Sequence, residues 1–589
     1  MKTNINNIYY VATGEAEPAL VIETENGYQY RMNSAYSPVN EVQTWGKQFK
    51  KDGIKRVVCL FGLGTGLFAK EILSGLSKDS RMIIFEPEKD ILEYCLEAGK
   101  DGEPEEKIIA ERLEEIRNDS RVILCVNETD SLKFREELMR NLDYYLLENL
   151  TVTKHTMYDR LYGEAFRMYL HTVNEVRERI LVNKNTLARF RDNASKNVID
   201  NLWIIEKMNT VNCLAKILPR EIPVIIVSAG PSLDKNIELL RKAKGHALIF
   251  AVDTAIPYLL KRNIIPDLTV TVEPIKPVKH YLDPRSEEIP AVFDCESNPE
   301  IVGKHRSRIF VYNIRDYVRR LLEAAGRTPC EDIVSGGSVA TAAFAIMYEL
   351  NMRNIILIGQ DLAYSGEATH AGGVESKGIN NDIGYEMIED INGGTVRTRS
   401  DWLGYLKWFE SVITMIGDMK KDITVTDATE GGARIHGTEV MTLADAIEKY
   451  CNIDYDFAEQ LKKLPPYLEK HEYEKFLLKK EESFGEPELM RQKAAEALEL
   501  CDGFLKGRTT DEKETVVLQT KLTQLRRYCE GCMIYPLINN YAVSDIVEEI
   551  SRLRLAGGTA SERRINEIMQ QRLAFDAIIK ACDAIKEQL

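Results

Sequence analysis

The central part of the sequence places a glycine turn or a carboxylate directly after each of three apolar runs. These residues are Gly230, Pro231 and Ser232 after residues 222–228, Asp253 and Thr254 after residues 247–252, and Glu273 after residues 268–272. Continuous apolar runs of this length predict strands buried on both faces of a parallel sheet. The carboxyl ends of such strands share one crevice, in which α/β proteins bind ligands. Backbone N–H groups at a glycine turn suit a phosphate, and the acids suit ribose hydroxyls, a base amino group or a metal.

The same sheet is predicted to carry a second glycine turn and another strand-end acid. The turn is Gly336, Gly337 and Ser338, and the strand-end pair is Gln360 and Asp361. The turn precedes residues 339–350, which are typical of an apolar helix, so its N–H groups and hydroxyls would lie at a helix N-terminus. Ser232 is expected to cap an earlier helix that ends near Gly245. Two such turns in one sheet, together with the acids, indicate phosphate or nucleotide binding.

A polar, glycine-rich segment, residues 362–378, is predicted to be a mobile lid, because long loops inside compact domains are usually functional. Within it, His370 could take a proton from an acceptor hydroxyl, and Tyr364 could donate one to a departing phosphate. The alternative for His370 is an ordinary surface histidine. The aromatic residues of the next predicted helix, residues 401–416, are expected to belong to the core.

The first part of the chain repeats the pattern of strand, glycine turn and acid. Residues 57–61 run into the turn 62–66, GLGTG, and Glu86 ends the apolar run 82–85. This spacing resembles the cofactor turn of Rossmann-type methyltransferases, in which the glycines make room for S-adenosylmethionine and the acid binds its ribose. No companion catalytic motif accompanies it. A scaffold that keeps the turn for helix–strand packing is therefore the favoured alternative.

Composition restricts the classes of function. The chain has 589 residues and a net charge of −15, from 77 basic and 92 acidic residues, which argues against nucleic-acid binding. Its start, MKTNINNIYYVATG, lacks an apolar signal core, and no run approaches ~18 apolar residues, so we expect a cytoplasmic protein that does not bind membranes. The 11 cysteines are scattered, which predicts reduced thiols, and the pair Cys529 and Cys532 is expected to serve packing.

These patterns predict an α/β protein. Its predicted regions are a Rossmann-like N-terminal domain (1–157), a helical linker (158–218), a central parallel-sheet domain (219–454) and a helical C-terminal domain (455–589). Two asparagines of the linker, Asn193 and Asn197, lie one helical turn apart and could face the crevice. Exposure to solvent is the commoner situation for such a pair.

Five segments, in order, resemble the motility-associated factor (Maf) family of flagellin glycosyltransferases. They are SAGPSLDKN, IIPD with VEP, VSGGSVATAAF, LIGQDLAYSGEATHAGG and DATEGGARIHGTE. The resemblance covers most of the chain, and the family's central domain is similar to bacterial sialyltransferases, which use CMP-activated nine-carbon acids. It implies transfer of a pseudaminic- or legionaminic-type nonulosonic acid to Ser or Thr hydroxyls of flagellin, with no metal or other cofactor required. Related GPSL sequences also occur in an archaeal pterin pyrophosphokinase.

By this resemblance, the two central glycine turns would hold CMP, Asp253 and Glu273 would bind ribose or cytosine, and His370 would be the base. The C-terminal helices would either recognise flagellin or only stabilise the central domain. Two alternatives remain open. One is a pterin-type pyrophosphokinase that uses ATP and magnesium, with the metal held by Asp253, Glu273 or Asp361. The other is a non-catalytic flagellin-binding factor.

Overall fold

The computed structural model describes residues 5–49, 54–126, 132–142, 146–275, 278–329, 332–364, 385–507, 512–555 and 559–589. The chain divides into two compact units. Unit 1 comprises Met1–Arg189, Lys493–Arg526 and Ala542–Ile579, and unit 2 comprises Phe190–Gln492, Arg527–Tyr541 and Lys580–Leu589.

Unit 1 contains a three-stranded antiparallel sheet and a four-stranded parallel sheet. The first consists of β1 (Ile5–Val11), β2 (Ala19–Thr24) and β3 (Gln29–Arg31). The second consists of β4 (Val57–Phe61), β5 (Arg81–Glu86), β6 (Val122–Val126) and β7 (Leu150–Lys154), in the order β6-β5-β4-β7. The accompanying helices are α1 (Pro38–Gly46), α2 (Leu67–Gly75), α3 (Lys89–Asp101), α4 (Pro104–Asn118), α5 (Leu132–Asn141), α6 (Tyr158–Leu161) and the part of α7 (Gly163–Asp200) up to Arg189, the rest of which belongs to unit 2.

Unit 2 is built on a nine-stranded sheet in which every neighbouring pair of strands is parallel. Its strands are β8 (Met208–Thr210), β9 (Val224–Val227), β10 (Leu248–Val252), β11 (Leu268–Thr271), β12 (Ala291–Phe293), β13 (Ile309–Val311), β14 (Asn354–Ile358), β17 (Thr424–Asp427) and β18 (Glu439–Val440). An antiparallel hairpin, β15 (Tyr385–Glu389) and β16 (Thr395–Arg399), lies between β14 and β17 in the chain.

The order of the large sheet is β18-β17-β14-β9-β10-β11-β12-β13-β8. From β9 the chain adds β10 to β13 on one side and later adds β14 and β17 on the other. The strand order therefore reverses between β9 and β14. In open α/β sheets, ligands bind in the crevice outside the carboxyl ends of the strands at such a reversal.

Helices cover the large sheet and form the C-terminal part of the chain. Those of unit 2 up to residue 484 are α8 (Leu233–Asn236), α9 (Leu240–Ala243), α10 (Ile256–Lys261), α11 (Pro299–Val302), α12 (Asp316–Ala325), α13 (Val339–Glu349), α14 (Ser400–Asp418), α15 (Leu443–Tyr450), α16 (Phe457–Lys462) and α17 (Lys470–Phe484). Four more follow: α18 (Glu486–Gly507), α19 (Glu512–Gly531), α20 (Tyr535–Leu555) and α21 (Ala560–Lys586). Within the described ranges, no helix is both long enough and apolar enough to cross a bilayer.

The predicted α/β class, with parallel sheets and a helical C-terminal part, is confirmed. The helical prediction for the linker is wrong at β8. Because residues 208–210 pair with β13, ladder hydrogen bonds at the sheet edge outweigh local helical propensity. Strands β7, β15, β16 and β18 were not indicated by the sequence either, since each is short or polar and gains its stability from a neighbouring strand.

Candidate functional site

A cleft of about 240 Å³ opens at the carboxyl ends of the central strands of unit 2, where the strand order reverses. Its lining includes the predicted residues Gly230, Asp253, Thr254, Glu273, Gly337, Ser338, Gln360 and Asp361. The predicted residues Pro231, Ser232, Gly336 and Tyr364 are not part of the lining that the described residues form. The structure thus brings segments that are about a hundred residues apart in sequence into one site.

Asp253 and Glu273 follow β10 and β11 and line the cleft from adjacent strands. Asp253 is fully buried, and Oγ1 of Thr271 donates to its Oδ2 at 2.5 Å. This bond fixes the orientation of the carboxylate. Two carboxylates at neighbouring strand ends can accept hydrogen bonds from a pair of hydroxyl or amino groups on one ligand.

The turn after β9 differs from the expected helix cap. Ser232 makes no cap hydrogen bond, and α8 spans only four residues, so no long helix stands behind Gly230. Instead, the Ser232 hydroxyl donates to Oδ1 of Asp361, and its backbone N–H donates to Oδ2 at 2.8 Å. A Cβ on Gly230 would lie 2.5 Å from the carbonyl oxygen of Gly359. The glycine therefore lets the turn pack against the end of β14, and the predicted cap at Ser232 is wrong.

Asp361 joins this turn to the cleft. The carboxylate is 5% exposed, and burial raises its pKa, although the bonds from Ser232 and the nearby Lys235 act in the opposite direction. The glycine turn after β17, Gly431 and Gly432, also packs on Asp361, since a Cβ on Gly432 would lie 2.3 Å from the Asp361 carbonyl oxygen. Asp361 is therefore held from two sides by glycine turns.

The turn before α13 matches its prediction. Ser338 caps the helix: its Oγ accepts from the Thr341 N–H at 3.1 Å, and its own N–H donates to Thr341 Oγ1 at 3.0 Å. Gly337 has a φ of +93°, a conformation that only glycine adopts readily. Because Ser338, Val339 and Ala340 line the cleft, the positive end of an eleven-residue helix faces it.

Four further lining side chains come from the end of β16 and the first turns of α14, and sequence reasoning missed them as site residues. They are Arg399, Asp401, Trp402 and Tyr405. Nε of Arg399 donates to Oδ1 of Asp401 at 2.6 Å, and its guanidinium lies 4.0 Å from the Trp402 ring centroid. Trp402 and Tyr405 were expected in the core; they pack partly against it and also form the cleft wall. The run RTRS directly before an aromatic helix is the signal that could have identified Arg399.

Tyr405 lines the cleft, whereas Tyr364 is not part of the described lining. A Cβ on Gly337 would lie 3.8 Å from its ring, so it borders the α13 turn. Burial raises its pKa, and the nearby Asp401 and Glu273 raise it further, while Arg399 lowers it. The phenol therefore stays protonated near neutral pH and can donate a hydrogen bond.

Tyr364 has different surroundings. It is 7% exposed, and its ring centroid lies 4.8 Å from that of Trp402 and 5.7 Å from that of Tyr385. The guanidinium of Arg397 lies 4.9 Å from the centroid of Tyr364. The ring is thus part of a stack that supports the cleft wall. His370, the predicted base, lies outside the described residues.

In unit 1, side chains of the protein fill the space beside the glycine turn 62–66. A Cβ on Gly62 would lie 2.3 Å from the ring of Tyr158, and one on Gly64 would lie 3.0 Å from Nε2 of His155. The hydroxyl of Tyr158 accepts from the Gly64 N–H at 2.9 Å and donates to Glu86 Oε2 at 2.9 Å. The volume next to the glycines is therefore occupied by two side chains.

Glu86, the acid that would bind a cofactor ribose, is already paired within unit 1. Besides Tyr158, the backbone N–H groups of Leu63 and Glu88 donate to it at 2.7 and 3.0 Å. It is 1% exposed, and burial raises its pKa to about 7 despite these donors. Burial also lowers the pKa of His155 to about 3. This arrangement supports the scaffold alternative for the turn.

Comparisons with known proteins agree with this architecture. Residues 196–367 match the family model described as 6-hydroxymethylpterin diphosphokinase MptE-like. An uncharacterized protein of Treponema pallidum (strain Nichols) is 23% identical over 371 residues, which cover 60% of this chain and 61% of that protein. A second uncharacterized protein of the same strain is 40% identical over 60 residues, covering 10% of this chain and 29% of that protein. The chain thus matches less than two thirds of the length of these relatives.

A solved structure extends the likeness to nearly the whole chain. The MAf glycosyltransferase from Magnetospirillum magneticum AMB-1 superposes with a TM-score of 0.57 at 14% identity. The superposition covers 97% of this chain and 92% of that one. The resemblance found in the sequence is therefore confirmed at the level of structure, and the chain has the fold of a Maf glycosyltransferase.

Proposed function

We propose that this chain is a glycosyltransferase that moves a sialic-acid-like nonulosonic acid, of the pseudaminic or legionaminic type, from a CMP donor to Ser or Thr hydroxyls of flagellin. The reaction class is supported by the fold shared with the MAf glycosyltransferase over 97% of the chain. The donor and the acceptor follow from the resemblance of the sequence segments to the Maf family. The chemistry of the cleft supports a nucleotide as the ligand.

The observation that carries the proposal is that anion-binding groups and strand-end acids line one cleft. The guanidinium of Arg399 and the N-termini of α13 and α14 attract negative charge. Asp253 and Glu273 accept hydrogen bonds from hydroxyl or amino groups. A nucleotide presents both kinds of group, since it carries a phosphate beside a ribose and a base.

The balance of charge favours a nucleoside monophosphate over a triphosphate. The described lining has four acids, Asp253, Glu273, Asp361 and Asp401, and Arg399 is its one guanidinium. A CMP-linked nonulosonic acid carries one negative charge on its phosphodiester and one on its carboxylate, which Arg399 and the N-termini of α13 and α14 can offset. A triphosphate carries several, and proteins usually bind it with magnesium and additional cations. The pterin-type pyrophosphokinase is therefore the weaker alternative.

Catalysis in such a site requires little beyond positioning. CMP is a good leaving group, so the protein has to hold it, neutralise the phosphate and accept a proton from the attacking hydroxyl. Arg399, Tyr405 and the N-terminus of α13 would contact the phosphate, and Asp253 and Glu273 would contact ribose or cytosine. His370 as the base remains a proposal from the sequence.

Calorimetry with the full-length protein tests this assignment. CMP, ATP with magnesium, and S-adenosylmethionine are titrated separately, and the protein is then incubated with purified flagellin and a CMP-activated nonulosonic acid. We expect CMP to bind without magnesium and the flagellin to gain the mass of the sugar. Binding of ATP with magnesium in place of CMP would favour the pyrophosphokinase. Flagellin binding without affinity for any nucleotide would favour the non-catalytic factor.

A further inference from the structure

Two buried asparagines, Asn197 in the last turn of α7 and Asn201 directly after its end, lie beside the carboxyl edge of the large sheet. Asn197 is 4% exposed and Asn201 is 2% exposed, whereas Asn193, one turn earlier, is exposed. All three belong to unit 2. The match to the MptE-like family model also begins in this turn, at residue 196, well before the first central strand. The end of the helix therefore belongs structurally with the sheet.

The side-chain amides of these residues bind the loops that follow two neighbouring strands. Nδ2 of Asn197 donates to the carbonyl oxygen of Pro274 at 2.9 Å and to that of Glu296 at 2.8 Å. The first loop follows β11 and the second follows β12, so one amide fastens both. Nδ2 of Asn201 donates to the carbonyl oxygens of Cys295 and Ser297 at 3.1 and 2.8 Å.

These contacts lead to two of the four acids that line the cleft, Glu273 and Asp253. Pro274 directly follows Glu273, so the Asn197 bond fixes the backbone at that residue. Ser297, held by Asn201, donates through Oγ to the carbonyl oxygen of Thr271 at 3.1 Å. Thr271 in turn orients the carboxylate of Asp253. Each asparagine thus acts on one acid through a short chain of hydrogen bonds.

We propose that Asn197 and Asn201 form an asparagine clamp whose role is to position Glu273 and Asp253 for the ribose or base of the bound nucleotide. The clamp residues do not line the cleft, so they are positioning residues. This inference rests on the proposed function for the identity of the ligand. It adds a part of the chain, the end of α7, that the resemblance does not assign to the site.

An amide suits this role for a chemical reason. Both hydrogens of the Asn197 amide are donated to carbonyl oxygens, and a carboxylate of the same shape has no hydrogen to donate. In Asn197→Asp, the negative charge would face two carbonyl oxygens, and the two loops would separate. The substitution changes neither the side-chain volume nor any group that lines the cleft.

The test compares Asn197→Asp with the matched control Asn193→Asp, which adds the same charge on an exposed position of the same helix. CMP affinity is measured by calorimetry, and hydrogen exchange is measured in the peptides that cover residues 271–275 and 294–298. We expect Asn197→Asp to weaken CMP binding about tenfold and to speed exchange in both loops, with the control unchanged. Equal affinities for the two variants would overturn the clamp.

A double-mutant cycle separates positioning from a general loss of stability. Glu273→Gln alone should weaken CMP binding. Adding Asn197→Asp to that variant should then lower CMP affinity much less than it does in the wild-type background, because the two residues act on one contact. Fully additive effects would contradict positioning through Glu273. If the wild-type protein itself fails to bind CMP, the proposed function is wrong, whereas the exchange measurement still reports on the clamp.

Discussion

Two of the glycine turns that follow parallel strands, one in each unit, can be compared, because each is accompanied by an acid at a strand end. In unit 1, the turn at Gly62 and Gly64 is packed against Tyr158 and His155, and Glu86 accepts three hydrogen bonds from the chain. In unit 2, Asp253 and Glu273 line a cleft of about 240 Å³. The same sequence pattern therefore marks a turn after a parallel strand in both places, but it does not specify whether a ligand can enter.

The difference arises from residues distant in sequence. Tyr158, which fills the first turn, lies more than seventy residues after Glu86, with which it shares a hydrogen bond. Arg399, which makes the second site suitable for an anion, lies on a hairpin inserted after β14. Later segments thus add charged side chains to the cleft of unit 2, whereas in unit 1 they fill the space beside the turn with side chains.

The largest expected effect is the loss of the cleft's guanidinium. Arg399→Gln should weaken CMP binding about 100-fold, because a charge-assisted contact to phosphate is lost and Asp401 is left without its ion-pair partner. Calorimetry at constant salt measures the change. The matched control is Lys407→Gln in α14, the helix that follows Arg399. It removes an exposed cation that pairs with Glu410 at 2.9 Å. If both variants bind CMP like the wild type, the phosphate does not lie beside Arg399.

The second prediction concerns the filled turn of unit 1. Tyr158→Phe removes a hydroxyl that bridges Glu86 and the Gly64 N–H, and should lower the free energy of unfolding by about 2 kcal/mol without changing CMP affinity. Thermal unfolding measures the loss. Tyr162→Phe is the matched control, since its hydroxyl is buried without a hydrogen-bond partner among the described residues. A loss of CMP affinity in Tyr158→Phe would show that the filled turn contributes to the nucleotide site.

Much of the fold was predictable because continuous apolar runs in the sequence indicate buried strands. The strand ends at Asp253, Glu273 and Asp361 were located correctly, since the change from apolar to polar residues is local in the sequence. Strands β8 and β16 were not, because they depend on partners that only the folded chain supplies. Propensity is a weak guide wherever tertiary pairing decides the outcome.

The candidate site was predictable only in part for the same reason. Gly337 and Ser338 precede an obvious helix, and a serine in this position is a common helix cap. Ser232 has the same local pattern but bonds to Asp361, so the cap was wrongly predicted there. Trp402 and Tyr405 have helical spacing, which indicates one buried face but does not reveal that this face borders a cleft.

The third prediction compares two tyrosines near the cleft. Tyr405→Phe should lower the rate of sugar transfer about tenfold, because the hydroxyl beside the α13 turn can donate to the phosphate. Tyr364→Phe should have little effect, since that ring contributes through stacking with Trp402 and Arg397, which phenylalanine retains. Transfer to flagellin, measured by mass, distinguishes them. The reverse ranking would restore Tyr364 as the donor to the departing phosphate.

The fourth prediction is a pH dependence of stability that originates in unit 1. Burial raises the pKa of Glu86 from 4.5 to about 7, so between these pH values the unfolded chain loses a proton that the folded chain keeps. Stability therefore falls as the pH rises through this window and is level above it. Glu86→Gln removes this contribution, so the wild type should lose stability relative to the variant between pH 4.5 and pH 7. Unfolding curves of both proteins across the window measure the difference. Parallel pH profiles would mean that Glu86 is ionised in the folded state across this window, and the contrast between the two turns would then be one of packing alone.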